Sequence, residues 1–439
     1  MSYHVQDLGR AGTVYTNDYN GNLVWVHDDL TTPGERMPVT IRHVYNTNDK
    51  DVTSRFGNGI RLNIMQTIKL VTIGGAEYAE YTDEDGTRHY FTKESTNTYK
   101  DEDGLGLELT LNASTAMFTM KDKGDNILRF ERRTVAGEYL WHLKEIEDSE
   151  GNKAIINFLS TITDQFIIQN VTDAAGQTIS FQYSGYYLSK LTGPDGKIVE
   201  YTYGSNGILD NIKYPDGNRT YYDFSSNVLN AVQKVDGSLV KYQYYPDKTK
   251  RVKTISECAN DAVTIGNSLS IVYSNNLTTF TDNKGYSNNI TFNDWGQAIS
   301  VADFGKGTQD LASAYGKVYN YGTSGGSKNK LTLDGNLTKS VNNLLLNGSG
   351  EYDGHWVGAN WGLNQGTYSM TTEDKYSGNR SLKITNPDSG SYYTFYTQQI
   401  SAQKGKTYTL SVKAKAVNIE GIEGGQLFIY YNDSNRTTS

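Results

Sequence analysis

The chain has 439 residues, 41 basic and 49 acidic, and its net charge of -8 argues against a nucleic-acid partner held through its phosphates. Tyr (34) and Gly (44) are abundant and Pro (6) is scarce, which points to short strands and tight turns rather than helices. A single cysteine, Cys258, excludes a disulfide framework and a cysteine metal site, and no apolar run is long enough to cross a bilayer.

Residues 1–140 read as β-rich but without a fixed period. Asn20-Gly21 separates TVYTNDY from LVWVH and is a strong hairpin signal. RHVYN, RFGNGIRLNIMQTIKLVTI and YTDEDGTRHYFT follow. This segment is expected to cap a repeat array, because terminal units of such arrays are atypical. The opening MSYHVQDLGR has no apolar signal core, so the chain reads as cytoplasmic or as a piece of a longer exported protein. The six histidines, His4, His27, His43, His89, His142 and His355, are scattered without metal-ligand spacing and read as structural or surface residues. Asp83-Glu84-Asp85-Gly86 and Asp101-Glu102-Asp103-Gly104 hint at calcium loops. Neither has the glutamate that closes an EF-hand, and turn chemistry explains both.

A regular register occupies 141–302. Gly196, Gly217 and Gly237 recur roughly 20 residues apart, a short repeat period. An aromatic pair follows each: Tyr201 and Tyr203, Tyr222 and Phe224, Tyr242 and Tyr244. Two aliphatics precede each: Leu188 and Leu191, Leu209 and Ile212, Leu229 and Val232. Pro215-Asp216-Gly217 suits a three-residue hairpin loop, which sets Ile212 opposite Thr220. The first aliphatic has the wrong parity for the aromatic face and is placed in the turn or bulge entering the hairpin. Tyr201, Tyr222 and Tyr242 should be equivalent, packing one inner face. Copies at Gly151, Gly176 and Gly285 keep the spacing; one near Gly266 is interrupted, and Cys258 is expected in its longer loop. After Asp294-Trp295-Gly296 the pattern fades. A lone hairpin is unstable in water, so the copies must stack.

These Gly-x4-Tyr-x-Tyr copies with Asp-Gly turns resemble the YD repeats of the RHS and wall-associated protein family, and are similar to those of teneurins. TTPGERMPVTIRHVYN and FGNGIRLNIMQ resemble the segment that precedes the repeats in Gram-positive members. The resemblance covers Gly21 to Ala302. It implies an all-β fold, hairpins in a spiralling antiparallel sheet that closes into a shell, in a secreted or wall-associated bacterial protein. Full-length members often carry a C-terminal toxin domain inside the shell. The aspartyl self-cleavage motif of such cores is not found here.

Residues 303–340 are rich in Gly, Ser and Asn and read as a linker or a degenerate last repeat. Gly322-Thr323-Ser324-Gly325-Gly326 matches a nucleophile elbow only formally, since it lies in a polar loop. From 341 to 439 the chain resembles a carbohydrate-binding module of the jelly-roll type, a β-sandwich that looks truncated before its last strands. Gly350 stands where such modules carry a bulky apolar residue. Trp356, Trp361, Tyr392 and Tyr393 offer flat apolar platforms for sugar rings, and Gln398 offers an amide for hydroxyls; the same rings could equally pack a core. The resemblance also implies Glu351 as a ligand of a structural calcium.

Two functions remain open. In one, the chain is a non-enzymatic scaffold with a glycan-binding module and a polysaccharide or cell-surface glycan as partner. In the other, it is an accessory region of a polysaccharide-degrading enzyme. Regular hairpins without clustered His or Cys favour the first.

Overall fold

The computed structural model describes residues 2–338 apart from 136, 160–166, 261–262, 308–313 and 324–326. Toward the C-terminus it describes 344–418 apart from 349, 352–353, 362–365, 377, 387–392 and 402–411. The chain divides into two compact units, Met1–Ser340 and Val341–Ser439. Among the described residues the elements are strands and three single-turn 3-10 helices.

The repeat hairpins follow from their turns. The Gly217 amide donates to the Tyr214 carbonyl and the Tyr214 amide to the Asn218 carbonyl, both at 2.9 Å. Pro215 presets the first turn residue, and Gly217, at φ +84°, supplies the left-handed residue that lets the strands pair again. The same turn recurs at Gly151, Gly176, Gly196, Gly237, Gly285 and Gly296. Ile212 lies opposite Thr220, as the turn requires.

Between copies the pairing is equally regular. The first aromatics Tyr201, Tyr222 and Tyr242 lie opposite Ile212, Val232 and Ile255, and all six are buried. The second aromatics Tyr183, Tyr203 and Tyr244 lie opposite Leu188, Leu209 and Val252. Aromatics two apart thus face aliphatics three apart, and one residue must leave the ladder. Ser189, Asp210 and Lys253 do so as bulges, which turn Leu188, Leu209 and Val252 fully inward. In two of these copies the second aromatic also ties the hairpin to its own start. Tyr183 donates to the Ile168 carbonyl at 3.0 Å and Tyr244 to the Leu229 carbonyl at 2.6 Å.

Eight strands, from Thr67–Ile73 to Glu138–Glu147, close into a ring. The closing contact sets Trp141 opposite Ile68 and His142 opposite Thr67. The far end of the strand Glu138–Glu147 pairs with Lys153–Phe158 instead. From that branch the antiparallel ladder continues through sixteen strands to Leu331–Thr338. The ladder therefore outlasts the sequence pattern, which fades after Gly296 because the aliphatic positions become Ala298 and Gly316 while the bulge opposite Phe292 persists. Cys258 is a correction. It ends the strand Val252–Cys258, buried and opposite Leu239 and Ile265, because the pairing runs on past Ile255 before the turn.

The first 62 residues form a separate five-stranded sheet. It lies on the aromatic face of the repeats, with Trp25 4.7 Å from Tyr222, Tyr45 5.0 Å from Phe224 and His43 4.7 Å from Tyr201, ring to ring. Sheet, ring and ladder share one apolar core. In the C-terminal unit, Val357–Trp361 pairs with Tyr393–Thr397, and Thr367–Thr371 with Ser381–Thr385, both antiparallel.

The turn assignment yields two stability tests. Nothing lies within 4 Å of a Cβ built on Gly217, so Gly217→Val carries a purely backbone cost. It should lose about 1–3 kcal/mol in chemical denaturation, with Asn218→Ala near neutral. Tyr244→Phe, which removes only the phenol bond, should lose about 1 kcal/mol. A Gly217→Val protein with the wild-type midpoint would refute the left-handed turn.

Candidate functional site

Two of the histidines that look scattered in sequence, His27 and His43, meet in space. His27 and His43 are cross-strand partners on Leu23–Thr31 and Thr40–Asn46. The ladder passes from Asp28 opposite Arg42 to Leu30 opposite Ile41, so Asp29 is the extra residue of a bulge. Its carboxylate sits between the two rings, 2.6 Å from His27 Nδ1 and 2.5 Å from His43 Nδ1, and all three side chains are fully buried. His27 Nε2 is 2.9 Å from the Tyr214 hydroxyl. Tyr214 donates to the Arg10 carbonyl at 2.6 Å and meets Thr220 Oγ1 at 2.9 Å; Thr220 in turn meets Tyr222 at 2.9 Å. Tyr222 donates to the Ala11 carbonyl at 3.2 Å. Repeat side chains thus bond both rings and backbone of the N-terminal sheet.

The electrostatics are those of a sealed polar centre. Burial alone would raise the Asp29 pKa; the electrostatic attraction and hydrogen bonds of His43 and His27 outweigh it and hold the carboxyl below the usual range. Burial, with the nearby Asp29 charge, pushes the Tyr201 phenol well up; burial, with the Tyr214 phenol and Asp29, does the same to Tyr222. Fully buried side chains leave a substrate no way in, so this centre fastens one sheet to the other. The sequence signal was His27 and Asp29 two apart on one strand face; the partner His43 needed the hairpin register.

Asp29 and Tyr214 also border a groove. It measures about 830 Å³ and has Tyr15, Val24, Val26 and Val44 in its lining, with Arg10, Arg42 and Glu84 among its charged residues. Arg42 Nε donates to Asp28 at 2.6 Å, and Arg10 pairs with Asp216 while its guanidinium lies 4.4 Å over the Tyr214 ring.

The two acidic turns meet through a histidine. His89 Nε2 is 3.1 Å from Asp83 and Nδ1 is 2.9 Å from Asp103. Asp83 Oδ1 also accepts the amides of Asp85 and Thr87, and Asp101 Oδ1 those of Asp103 and Gly104. The carboxylates are engaged in turn bonds and ion pairs. The bond to Asp83 raises the His89 pKa to about 9 against the opposing effect of burial, helped by Asp103.

In the C-terminal unit, Trp356 and Gln398 converge on one loop. Trp356 is half-buried and its Nε1 donates to the Asn347 carbonyl at 2.8 Å. Gln398 accepts the Leu346 amide at 2.6 Å and donates to the carbonyls of Leu346 (2.8 Å) and His355 (3.0 Å). Trp361 and Tyr393 are directly opposite in the strand register; their side chains, and Tyr392 altogether, lie outside the described residues, as does Ser324. The Glu351 carboxylate accepts the Asn379 amide, at 2.8 Å for Oε2 and 3.0 Å for Oε1.

Residues 17–91 match a family described as a domain of unknown function, DUF6531. The chain is similar to the tRNA nuclease WapA of Bacillus subtilis strain 168, 28% identical over 262 residues, covering 54% of this chain and 11% of that protein. It is also similar to the tRNA3(Ser)-specific nuclease WapA of Bacillus spizizenii, 34% identical over 107 residues, covering 24% of this chain and 4% of that protein. The chain thus spans about a tenth or less of the curated relatives it matches. Among solved structures, a TcdB2-TccC3 crystal structure aligns at TM-score 0.34 and 10% identity, covering 73% of this chain and 22% of that one. The N-terminal domain of effector protein SpvB from Salmonella typhimurium strain LT2 aligns at TM-score 0.25 and 12% identity, covering 61% and 99%.

The His89 bridge predicts a pH dependence with a definite sign. Its folded pKa, about 9, lies above the ordinary value of 6.5, so the bridge contributes fully below about pH 6.5 and fades as pH rises through 9. The unfolding free-energy gap between wild type and His89→Gln should be present near pH 6 and closed near pH 10. A gap that widens with rising pH would contradict the assignment.

Proposed function

We propose that this chain is the wall-forming scaffold of a secreted or cell-surface bacterial RHS/YD-repeat protein of the WapA type, without catalysis of its own. The observation that carries the reading is the closed eight-strand ring continuing into a long ladder, lined on its aromatic face by a second sheet that shares its core. A wall of this kind holds and screens another polypeptide, and a toxin domain of the same protein is the proposed cargo. The nuclease activity named for the WapA relatives belongs, on this reading, to parts that the present chain does not match. The purified 439-residue chain should therefore leave a tRNA pool intact. Multiple-turnover cleavage that is retained through purification and abolished by unfolding would overturn the scaffold reading.

The C-terminal unit is proposed to bind a polysaccharide or cell-surface glycan. Its strands carry several aromatics in a polar setting, and Trp361, Tyr392 and Tyr393 are the rings proposed to stack on sugar. Trp356 and Gln398 would support that surface from the loop they bond to. Glu351 is proposed as a ligand of a structural calcium, which would have to take over carboxylate oxygens now meeting the Asn379 amide. On this reading calcium should raise the melting temperature of the wild type and not of Glu351→Gln.

Retention on a panel of wall and surface glycans tests the binding. Trp361→Ala should lose retention with the melting temperature kept, each good ring contributing on the order of 1 kcal/mol. Trp356→Ala should lower both together, because its indole bonds the Asn347 carbonyl. Degradation of a panel glycan would instead favour an accessory region of a polysaccharide-degrading enzyme.

A further inference from the structure

We infer that the turn Asn293–Gln297 carries a saccharide-binding platform on the repeat unit, with the Trp295 indole as the stacking ring and Asp294 and Asn276 as partners for the sugar hydroxyls. The class of partner rests on the glycan reading above; the contact itself is independent of the rings of the C-terminal unit.

The turn supplies its own comparison. At Gly296 the glycine amide donates to the Asn293 carbonyl and the Asn293 amide to the Gln297 carbonyl, both at 3.0 Å, which is the loop of the other repeat hairpins. The residue before the glycine is exposed in each of these loops. Elsewhere it is Glu150, Ala175, Asp195, Asp216, Asp236 or Lys284, side chains that lose little in water. Before Gly296 it is Trp295, 77% exposed. Single exposed apolar residues are ordinary on protein surfaces. Here, however, the same loop closes without an indole at every other copy, so neither the turn nor the core accounts for one. Trp25 and Trp141, by contrast, are buried, and each Nε1 donates to a backbone carbonyl.

The surroundings decide the class of ligand. Asn293 Oδ1 accepts the amides of Trp295 and Gln297, both at 3.0 Å, and Asn293 Nδ2 donates to Gln297 Oε1 at 2.8 Å. Gly296 lies against the Tyr19 ring, where a Cβ would stand 2.9 Å from Cδ1. The backbone that carries the indole is thus fixed before a ligand arrives, which lowers the entropic cost of binding. A neighbouring turn brings Asn276, whose Nδ2 donates to Asp294 Oδ1 at 2.7 Å. Among the described residues Asp294 Oδ2 is left to accept from a hydroxyl. The polar groups these two turns offer are amides and a carboxylate. A protein partner would call for a contiguous apolar patch, and a nucleic-acid backbone would meet the Asp294 charge. A pyranose suits both features, with its C–H face on the indole and its hydroxyls toward carboxylate and amide.

Fluorine NMR of the 439-residue chain labelled with 5-fluorotryptophan tests this, with one signal for each of five tryptophans, assigned by single Trp→Phe substitutions. The probes are chitohexaose, cellohexaose and solubilised bacterial wall polysaccharide. The Trp295 signal should move on titration with at least one of them while the Trp25 and Trp141 signals stay. Trp295→Ala should weaken binding of that saccharide about fivefold with the melting temperature kept. A Trp295 signal unmoved by every probe would overturn the assignment, as would a Trp295→Ala protein that binds like wild type. A signal that moves with protein concentration in the absence of saccharide would mark a protein contact and overturn it too. The Trp361 signal separates this site from the C-terminal one. Movement at Trp361 alone removes the platform at Trp295 and keeps the C-terminal reading; movement at Trp295 alone does the reverse.

Discussion

A mismatch of one residue between facing strands governs this architecture. The copies ending in Tyr183, Tyr203 and Tyr244 offer aromatics two apart to aliphatics three apart, and a bulge reconciles them. The extruded residue bends its strand and increases the local twist. Because the bulge recurs at the same step in several copies, its bends have the same sense along the ladder. Without it, Leu188, Leu209 and Val252, all fully buried, would point away from the core. The curvature of the wall and the burial of its core are thus one event.

The ladder presents an aromatic and aliphatic face that has to be kept from water. The N-terminal sheet covers it with Trp25, Tyr45 and Phe56, all with almost no exposed surface. Close approach is built into the cover. Gly12 lies against the Val26 carbonyl and the Trp25 indole, where a Cβ would meet the carbonyl oxygen at 2.4 Å. Its φ of +100° is a conformation that other residues rarely adopt. The indole can then donate to the Ala11 carbonyl at 2.8 Å while its rings pack on the repeats.

What the sequence disclosed and what it withheld divide along contact range. The turns at Gly196, Gly217 and Gly237, the pairing of Ile212 with Thr220 and the inward face of Tyr201, Tyr222 and Tyr242 are set by residues within one copy, and all were legible. The bulge was legible through the wrong parity of Leu188 and Leu209. Cys258 was misplaced because a copy with spaced-out halves looks like a loop, whereas the backbone continued to pair. The covering sheet and its polar centre were not legible. His27 and Tyr214 are 187 residues apart, and no local period links a histidine on one sheet to a tyrosine in another sheet's turn. The groove lined by Tyr15, Arg42, Glu84 and Tyr214 is likewise a product of long-range packing.

The polar centre raises a last physical question, why a buried contact between two apolar surfaces carries charge at all. An all-apolar seam would adhere at least as well, since burying an ion pair forfeits hydration that the mutual attraction only partly returns. What apolar contact lacks is direction. A sheet displaced by one copy along the ladder would exchange one set of rings for another at little cost, because the repeats offer nearly the same surface at every copy. The hydrogen-bond chain from His27 through Tyr214 and Thr220 to Tyr222 exists at one copy, the hairpin around Gly217. At any other copy Asp29 would be buried against an unmatched phenol or an aliphatic, with the desolvation of a charge uncompensated. The centre therefore selects the register between two surfaces whose repetition would otherwise leave it undecided.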